Sequence, residues 1–195
     1  PNKNDTNFNI DGIIQLKPFY FVGELNINRK KIENIIDNFL LRLLLNEKKY
    51  IGNFSGELGI KFDKLNNKLI KSGKIDLVIN EKQISLKEAN FKLDKIGDIK
   101  SKISFIEDNG NIKFISKNEL NIENHIEFAK IFQVGSKKIK NIKKIHFDLQ
   151  KNIGMSDVVI TNVKINNLEG SKISEEIFFV KNIQNLRSHI RKIID

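Results

Sequence analysis

Three histidines, His125, His146 and His189, are the first residues to test for chemistry, because imidazole ligates metals and moves protons near neutral pH. They lie far apart, in different predicted elements, and no HExxH or HxH spacing is present. Glu123, His125 and Glu127 are close in sequence, but positions two apart on a helix point in different directions. They read as surface residues rather than a metal centre. With no Cys in the chain, thiolate metal sites, disulfides and Cys nucleophiles are excluded. The glycines form no phosphate loop and no GxGxxG, and there is no GxSxG. Gly52, Gly56 and Gly59 sit in or beside a strand pattern and mark bends or close backbone approach. Asp94, Asp98, Glu107 and Asp108 fall at predicted turns, where solvation accounts for them. No acid–base pair emerges, and the expectation is a protein that is not an enzyme and uses no cofactor.

The densest basic cluster is Lys137, Lys138, Lys140, Lys143 and Lys144. Such a cluster suits phosphate head groups or nucleic acid, or a solvated loop and strand face, which is the reading preferred here. Composition bears on the choice. The chain has 195 residues and a net charge of +10, with 34 Ile, 26 Asn and 30 Lys but 4 Arg. AT-rich codons favour Ile, Asn and Lys, so much of the basicity reflects codon usage. Nucleic-acid readers lean on the planar fork of Arg, and the Phe residues share the parity of Ile and Leu instead of standing out as stacking platforms. No nucleic-acid partner is expected.

The elements that would position any site are mostly strands. Phe8, Ile10, Gly12, Ile14 and Leu16 share one parity; Phe19, Phe21, Gly23, Leu25 and Ile27 repeat it beyond Lys17-Pro18. From Arg29 the period changes, and Ile32, Ile35, Ile36, Phe39, Leu40, Leu43 and Leu44 predict an amphipathic helix. Alternation returns with Phe54, Gly56, Leu58, Ile60 and Phe62, then Leu69, Gly73, Ile75, Leu77 and Ile79. Ile84 and Leu86 lead to Phe91 and Leu93 through a parity change near Glu88-Ala89 that predicts a bulge. Ile99, Ile103 and Phe105 and then Ile112 and Phe114 follow, with Asn66-Asn67, Asn80-Glu81, Asp94-Lys95 and Asn109-Gly110 as turns.

A second helix is predicted from Asn124, capped by Asn124 with Glu127 and stopped near Gly135, with Ile122, Ile126, Ala129 and Phe132 on its apolar side. Two strands hold Ile145, Phe147 and Leu149, then Val159, Thr161, Val163 and Ile165. A third helix is predicted from Ser174 to about Ile194, with Glu175 and Glu176 in its first turn and Ile177, Val180, Ile183, Ile190 and Ile194 as its stripe. The fold class is α+β: a long, curved, mostly antiparallel sheet with about three amphipathic helices packed on it, as one β-rich domain over 1–195. No run of about 18 apolar residues is present to span a bilayer as a helix. The chain begins at Pro1 without a signal-peptide pattern, so the expectation is a processed or excised piece.

Several segments resemble one family. Asp11–Phe21 (DGIIQLKPFYF) resembles the Gly, strand, Lys-Pro-Phe entry of AsmA-like proteins of proteobacteria, Phe54–Phe62 (FSGELGIKF) and Ile84–Phe91 (ISLKEANF) with Lys95–Asp98 (KIGD) after it resemble their repeated strands, and Asp157–Ile165 (DVVITNVKI) resembles their late strand before a terminal helix. The similarity is one of texture and covers most of the chain. It implies the C-terminal part of a periplasmic, inner-membrane-anchored protein concerned with outer-membrane lipid homeostasis and phospholipid transport. The expected mechanism is shielding of phospholipid acyl chains on an apolar sheet groove, with Phe54, Leu58, Ile60, Phe62, Ile75, Leu77 and Ile79 as contacts. Membrane association would come through parts outside this chain, with further protein partners at the envelope. The alternative is a structural or protein-interaction module without ligand, in which those residues are core.

Overall fold

The computed structural model describes residues 7–28, 55–63, 69–80, 83–108, 111–152, 157–167, 170–174, 176–181 and 183–194. Two compact units divide the chain, Pro1–Lys92 and Leu93–Asp195. Most described residues are strand, and most strand pairs are antiparallel.

The first unit holds β1 (Asn7–Leu16), β2 (Phe19–Asn28), β3 (Ser55–Asp63), β4 (Ile70–Asn80) and β5 (Gln83–Leu93), hydrogen-bonded in that order. β1 and β2 form the predicted hairpin: Leu16 opposes Phe19, so Lys17-Pro18 makes the turn. β2 and β3 are parallel. A parallel pair cannot be joined by a tight turn, and 26 residues, 29–54, separate the two strands in sequence; the helix predicted from Arg29 to Leu44 lies outside the described residues, as does Phe54. β3 and β4 are antiparallel with Leu58 opposite Leu77 and Ile60 opposite Ile75. Along β5 burial passes from Leu86 to Ala89, a change of parity at the predicted place.

Two glycines are fixed by close approach. A Cβ on Gly56 would overlap the Phe21 ring. One on Gly73 would meet the Phe62 ring at 2.6 Å and the Asn90 carbonyl at 2.8 Å. Phe62 lies across Gly73 and packs on Phe91 with ring centroids 5.9 Å apart.

The second unit holds β6 (Gly97–Asp108), β7 (Asn111–Ile122), β8 (Ile142–Asn152), β9 (Val158–Asn167) and β10 (Gly170–Ser174) in that order, with β11 (Phe178–Val180) also paired to β9. Asp108 opposes Asn111, which leaves Asn109-Gly110 between β6 and β7. Three helical segments are described: α1 (His125–Phe132), α2 (Ser136–Ile139) and α3 (Ile183–Ile194).

The helices depart from expectation in instructive ways. Asn124 caps α1, its side chain accepting from the Ile126 and Glu127 amides at 3.1 Å. But α1 ends at Phe132, with Gln133 rather than Gly135 in the left-handed conformation. Gly135 instead precedes α2. Ile122 closes β7, and Ile126 is exposed, while Phe128, Ala129 and Phe132 face inward. Ser174 ends a strand rather than starting a helix. Phe178–Val180 forms β11, Ile177 is exposed, and α3 begins only at Ile183. The reason is tertiary: β10 covers β9 at residues 163–167, and Phe178–Val180 takes the rest of that edge at residues 158–160.

β9 also changes parity. Asn162 has φ 53°, and the β8–β9 register shifts between His146 and Asp148. Val163 and Ile165 are buried on one side of the bulge; beyond it Ile160 opposes Leu149, and Thr161 opposes Asp148. The predicted set Val159, Thr161, Val163 and Ile165 is therefore split between two faces.

Candidate functional site

The register of the first unit assembles one apolar face. Ile10, Gly12, Ile14 and Leu16 of β1 oppose Leu25, Gly23, Phe21 and Phe19 of β2. Phe21, Gly23, Leu25 and Ile27 stand beside Gly56, Leu58, Ile60 and Phe62 of β3. Those oppose Ile79, Leu77, Ile75 and Gly73 of β4. Side chains alternate along a strand, so every one of these positions lies on the same face, and each is apolar or glycine.

Six of the seven residues expected to contact acyl chains are thus brought together on adjacent strands; Phe54 lies outside the described residues. Their exposure is not that of an open surface. Ile60, Phe62, Ile75, Leu77 and Ile79 are between 1% and 6% exposed, and Leu58 is half-buried. They pack as core. The exposed part of the face is at β1, where Ile10, Ile14 and Leu16 are 64%, 63% and 74% exposed. Sequence reasoning had these residues in a strand but not in the site. Alternation marks the face a residue shares; it does not mark which strand is left at an edge.

The opposite face of the unit carries charge. It holds an open depression of about 620 Å³, with Asp11, Glu24, Glu57, Lys74, Asp76 and Glu88 among its walls. Lys61 donates to Glu24 at 2.8 Å and holds that carboxyl below its ordinary 4.5. Asp76, 2.8 Å from Lys74, raises the Lys74 ammonium above its ordinary 10.5. Both pairs are solvated, so they add little to stability. Among the described residues no group of three or more His, Cys, Asp or Glu is placed to hold a metal ion.

In the second unit a polar cluster sits on the otherwise apolar face. Ile99, Ser101 and Ile103 of β6 oppose Leu120, Asn118 and Ser116 of β7, and Asn118 opposes Phe147 of β8. Ser101, Ser116 and Asn118 are all buried. The Ser101 hydroxyl donates to Asn118 Oδ1 at 2.7 Å. Asn118 Nδ2 donates to Ser116 Oγ at 3.0 Å and to the Ser116 and Phe147 carbonyls at 3.2 Å. The amide is satisfied on both sides, as burial requires. The signal was in the sequence: three polar residues on the parity of Ile99, Ile103 and Leu120.

One charged cluster of that unit pairs across β7 and β8. Lys144 meets Glu119 at 2.9 Å, with His146 3.8 Å from the same carboxylate. Lys144, followed by the lesser influence of His146, holds Glu119 below 4.5. Of the other two histidines, His189 lies 3.1 Å from the Phe179 carbonyl and packs on the Phe178 ring, while His125 opens α1. The three histidines are not brought together by any contact among the described residues. No described helix is long and apolar enough to cross a membrane. No family model, no curated protein and no solved structure matches the chain.

Proposed function

We propose that this protein handles lipid without catalysis, by shielding phospholipid acyl chains along the apolar face of its first unit. The observation that carries the reading is the continuity of that face: seventeen apolar or glycine positions over β1–β4, buried over most of β3 and β4 and exposed at β1. An acyl chain laid along Ile10, Ile14 and Leu16 would gain about 0.8 kcal/mol for each methylene it removes from water. Ile60, Ile75, Leu77 and Ile79 continue the same face as buried core rather than touching lipid. The envelope role, with its periplasmic location and its phospholipid transport to the outer membrane, rests on the resemblance to AsmA-like strands alone.

Native mass spectrometry of the chain after exposure to a two-chain phospholipid tests the reading. The protein should retain lipid, and I10S/I14S/L16S should lose it while keeping its urea midpoint. Absence of any retained phospholipid in the unsubstituted chain would sink the proposal.

A second reading has its own observation. Ile13 and Val22 lie on the opposite face of the same hairpin and are also exposed, at 77% and 48%. A one-sided lipid groove has no use for them. β1 pairs with β2 alone among the described strands, and it carries one charge, Asp11. An edge so little protected suits pairing with a strand of another protein. Light scattering distinguishes the two: this reading expects an assembly larger than a monomer that Ile13→Lys dissolves.

A further inference from the structure

The densest basic segment of the chain lies in the second unit. From Phe128 to Phe147 there are six lysines and no Asp or Glu. The fold turns that composition into a surface. Ile139, Ile142 and Ile145 are buried at every third position, which pins α2 and the start of β8 to the core. Lys137, Lys140 and Lys143 repeat with the same period and are exposed. Lys130 is exposed on α1, one helical turn beyond the 62% exposed Ile126. α1 contacts α2, so the two halves of the surface adjoin.

These lysines are not neutralised as others are. On the sheet, Lys100 opposes Glu119, Lys117 opposes Asp148, and Lys144 ion-pairs with Glu119. Among the described residues no carboxylate pairs with Lys130, Lys137, Lys140 or Lys143. The aromatic residues of the same segment, Phe128 and Phe132, are buried and offer no stacking surface.

We infer that this helical surface docks on anionic lipid bilayers, with the four lysines at the head-group layer and Ile126 entering its apolar boundary. It is a separate surface from the acyl-chain face of the first unit, and it binds the outside of a membrane rather than an extracted lipid. Compact ammonium groups suit a diffuse layer of head-group charge, whereas nucleic acid asks for Arg forks and exposed rings. Each lysine at such a surface changes partitioning by about fivefold, and the effect falls as salt rises.

Flotation of the full chain with vesicles tests the inference, using phosphatidylglycerol mixed into phosphatidylcholine against phosphatidylcholine alone. The chain should float with the anionic vesicles only. K137Q/K140Q/K143Q should reduce binding by roughly a hundredfold at low salt, and Ile126→Ser should reduce it further. K100Q/K102Q/K117Q removes the same charge from exposed positions of β6 and β7 and should change binding little. Equal loss in the two triple variants would reduce the effect to net charge and overturn the inference. So would equal binding to neutral vesicles, or displacement by single-stranded RNA through the same three lysines. A chain that retains phospholipid yet ignores anionic vesicles overturns this inference and leaves the acyl-chain reading standing; the reverse result separates them the other way.

Discussion

Replacing Asn118 with Leu removes a hub while keeping the same number of side-chain heavy atoms and the same branching. In the folded chain the Asn118 amide accepts from Ser101 Oγ at 2.7 Å and donates to Ser116 Oγ and to the Ser116 and Phe147 carbonyls. All three side chains are buried, so water does not replace the lost partners. A stranded hydroxyl costs about 1–3 kcal/mol, and each further lost bond about 0.5–1.5 kcal/mol. Asn118→Leu should therefore destabilise the second unit by about 3 kcal/mol, a factor of roughly a hundred in its unfolding equilibrium. S101A/S116A/N118L removes the stranded hydroxyls as well, leaving only the Ser116 and Phe147 carbonyls short of a donor, so it should be more stable than Asn118→Leu alone. Urea unfolding followed by circular dichroism reads both, with an unchanged m-value as the check that the same surface is exposed. If Asn118→Leu is neutral, or if the triple variant is less stable than the single one, the hydrogen-bond account is wrong. The cluster would then be incidental to the fold.

Two further outcomes follow from the same structure. Leu77, 1% exposed and opposite Leu58, should cost about 3–5 kcal/mol as Leu77→Ala, whereas Ile14→Ala at a 63% exposed site should stay within about 0.5 kcal/mol by urea midpoint. The pH dependence should be shallow and salt-sensitive: Glu24 and Glu119 sit below 4.5 in the folded chain, so their contribution is present above pH 4.5 and lost as pH falls below it. Lys74 is raised, so its contribution is present below pH 10.5 and lost above that value. Unfolding curves for Lys61→Gln and Lys144→Gln should show a weaker loss towards acid than the unsubstituted chain.

Much of the architecture was legible from side-chain period. The β1–β2 hairpin, the alternating faces of β3 and β4, the parity change in β5 and the Asn124 cap of α1 are local features, and residues close in sequence determine them. What was not legible depends on neighbours distant in sequence. Phe178–Val180 carries an apolar pattern compatible with a helix, but an unfilled edge of β9 draws it into a strand. Asn162 reads as an ordinary polar position until pairing with β8 forces a bulge there. Ile96, fully buried in the turn between β5 and β6, breaks the rule that turns are polar because its carbonyl receives the Glu123 and Asn124 amides.

The candidate site divides along the same line. Sequence alone determined that Leu58, Ile60 and Phe62 share one face of β3 and that Ile75, Leu77 and Ile79 share one face of β4; the register of the pair put the two sets on the same side. It also determined that the six lysines from Lys130 to Lys144 have no acidic neighbours in their segment. Only the tertiary structure decided which of these groups meet solvent. Burial depends on where a strand sits in its sheet and on what packs over it, and those contacts join residues that composition and spacing treat as unrelated. Hence Leu77 is core while Ile14, on the same face, is exposed, and Lys137 is exposed without a carboxylate partner among the described residues while Lys144 is paired.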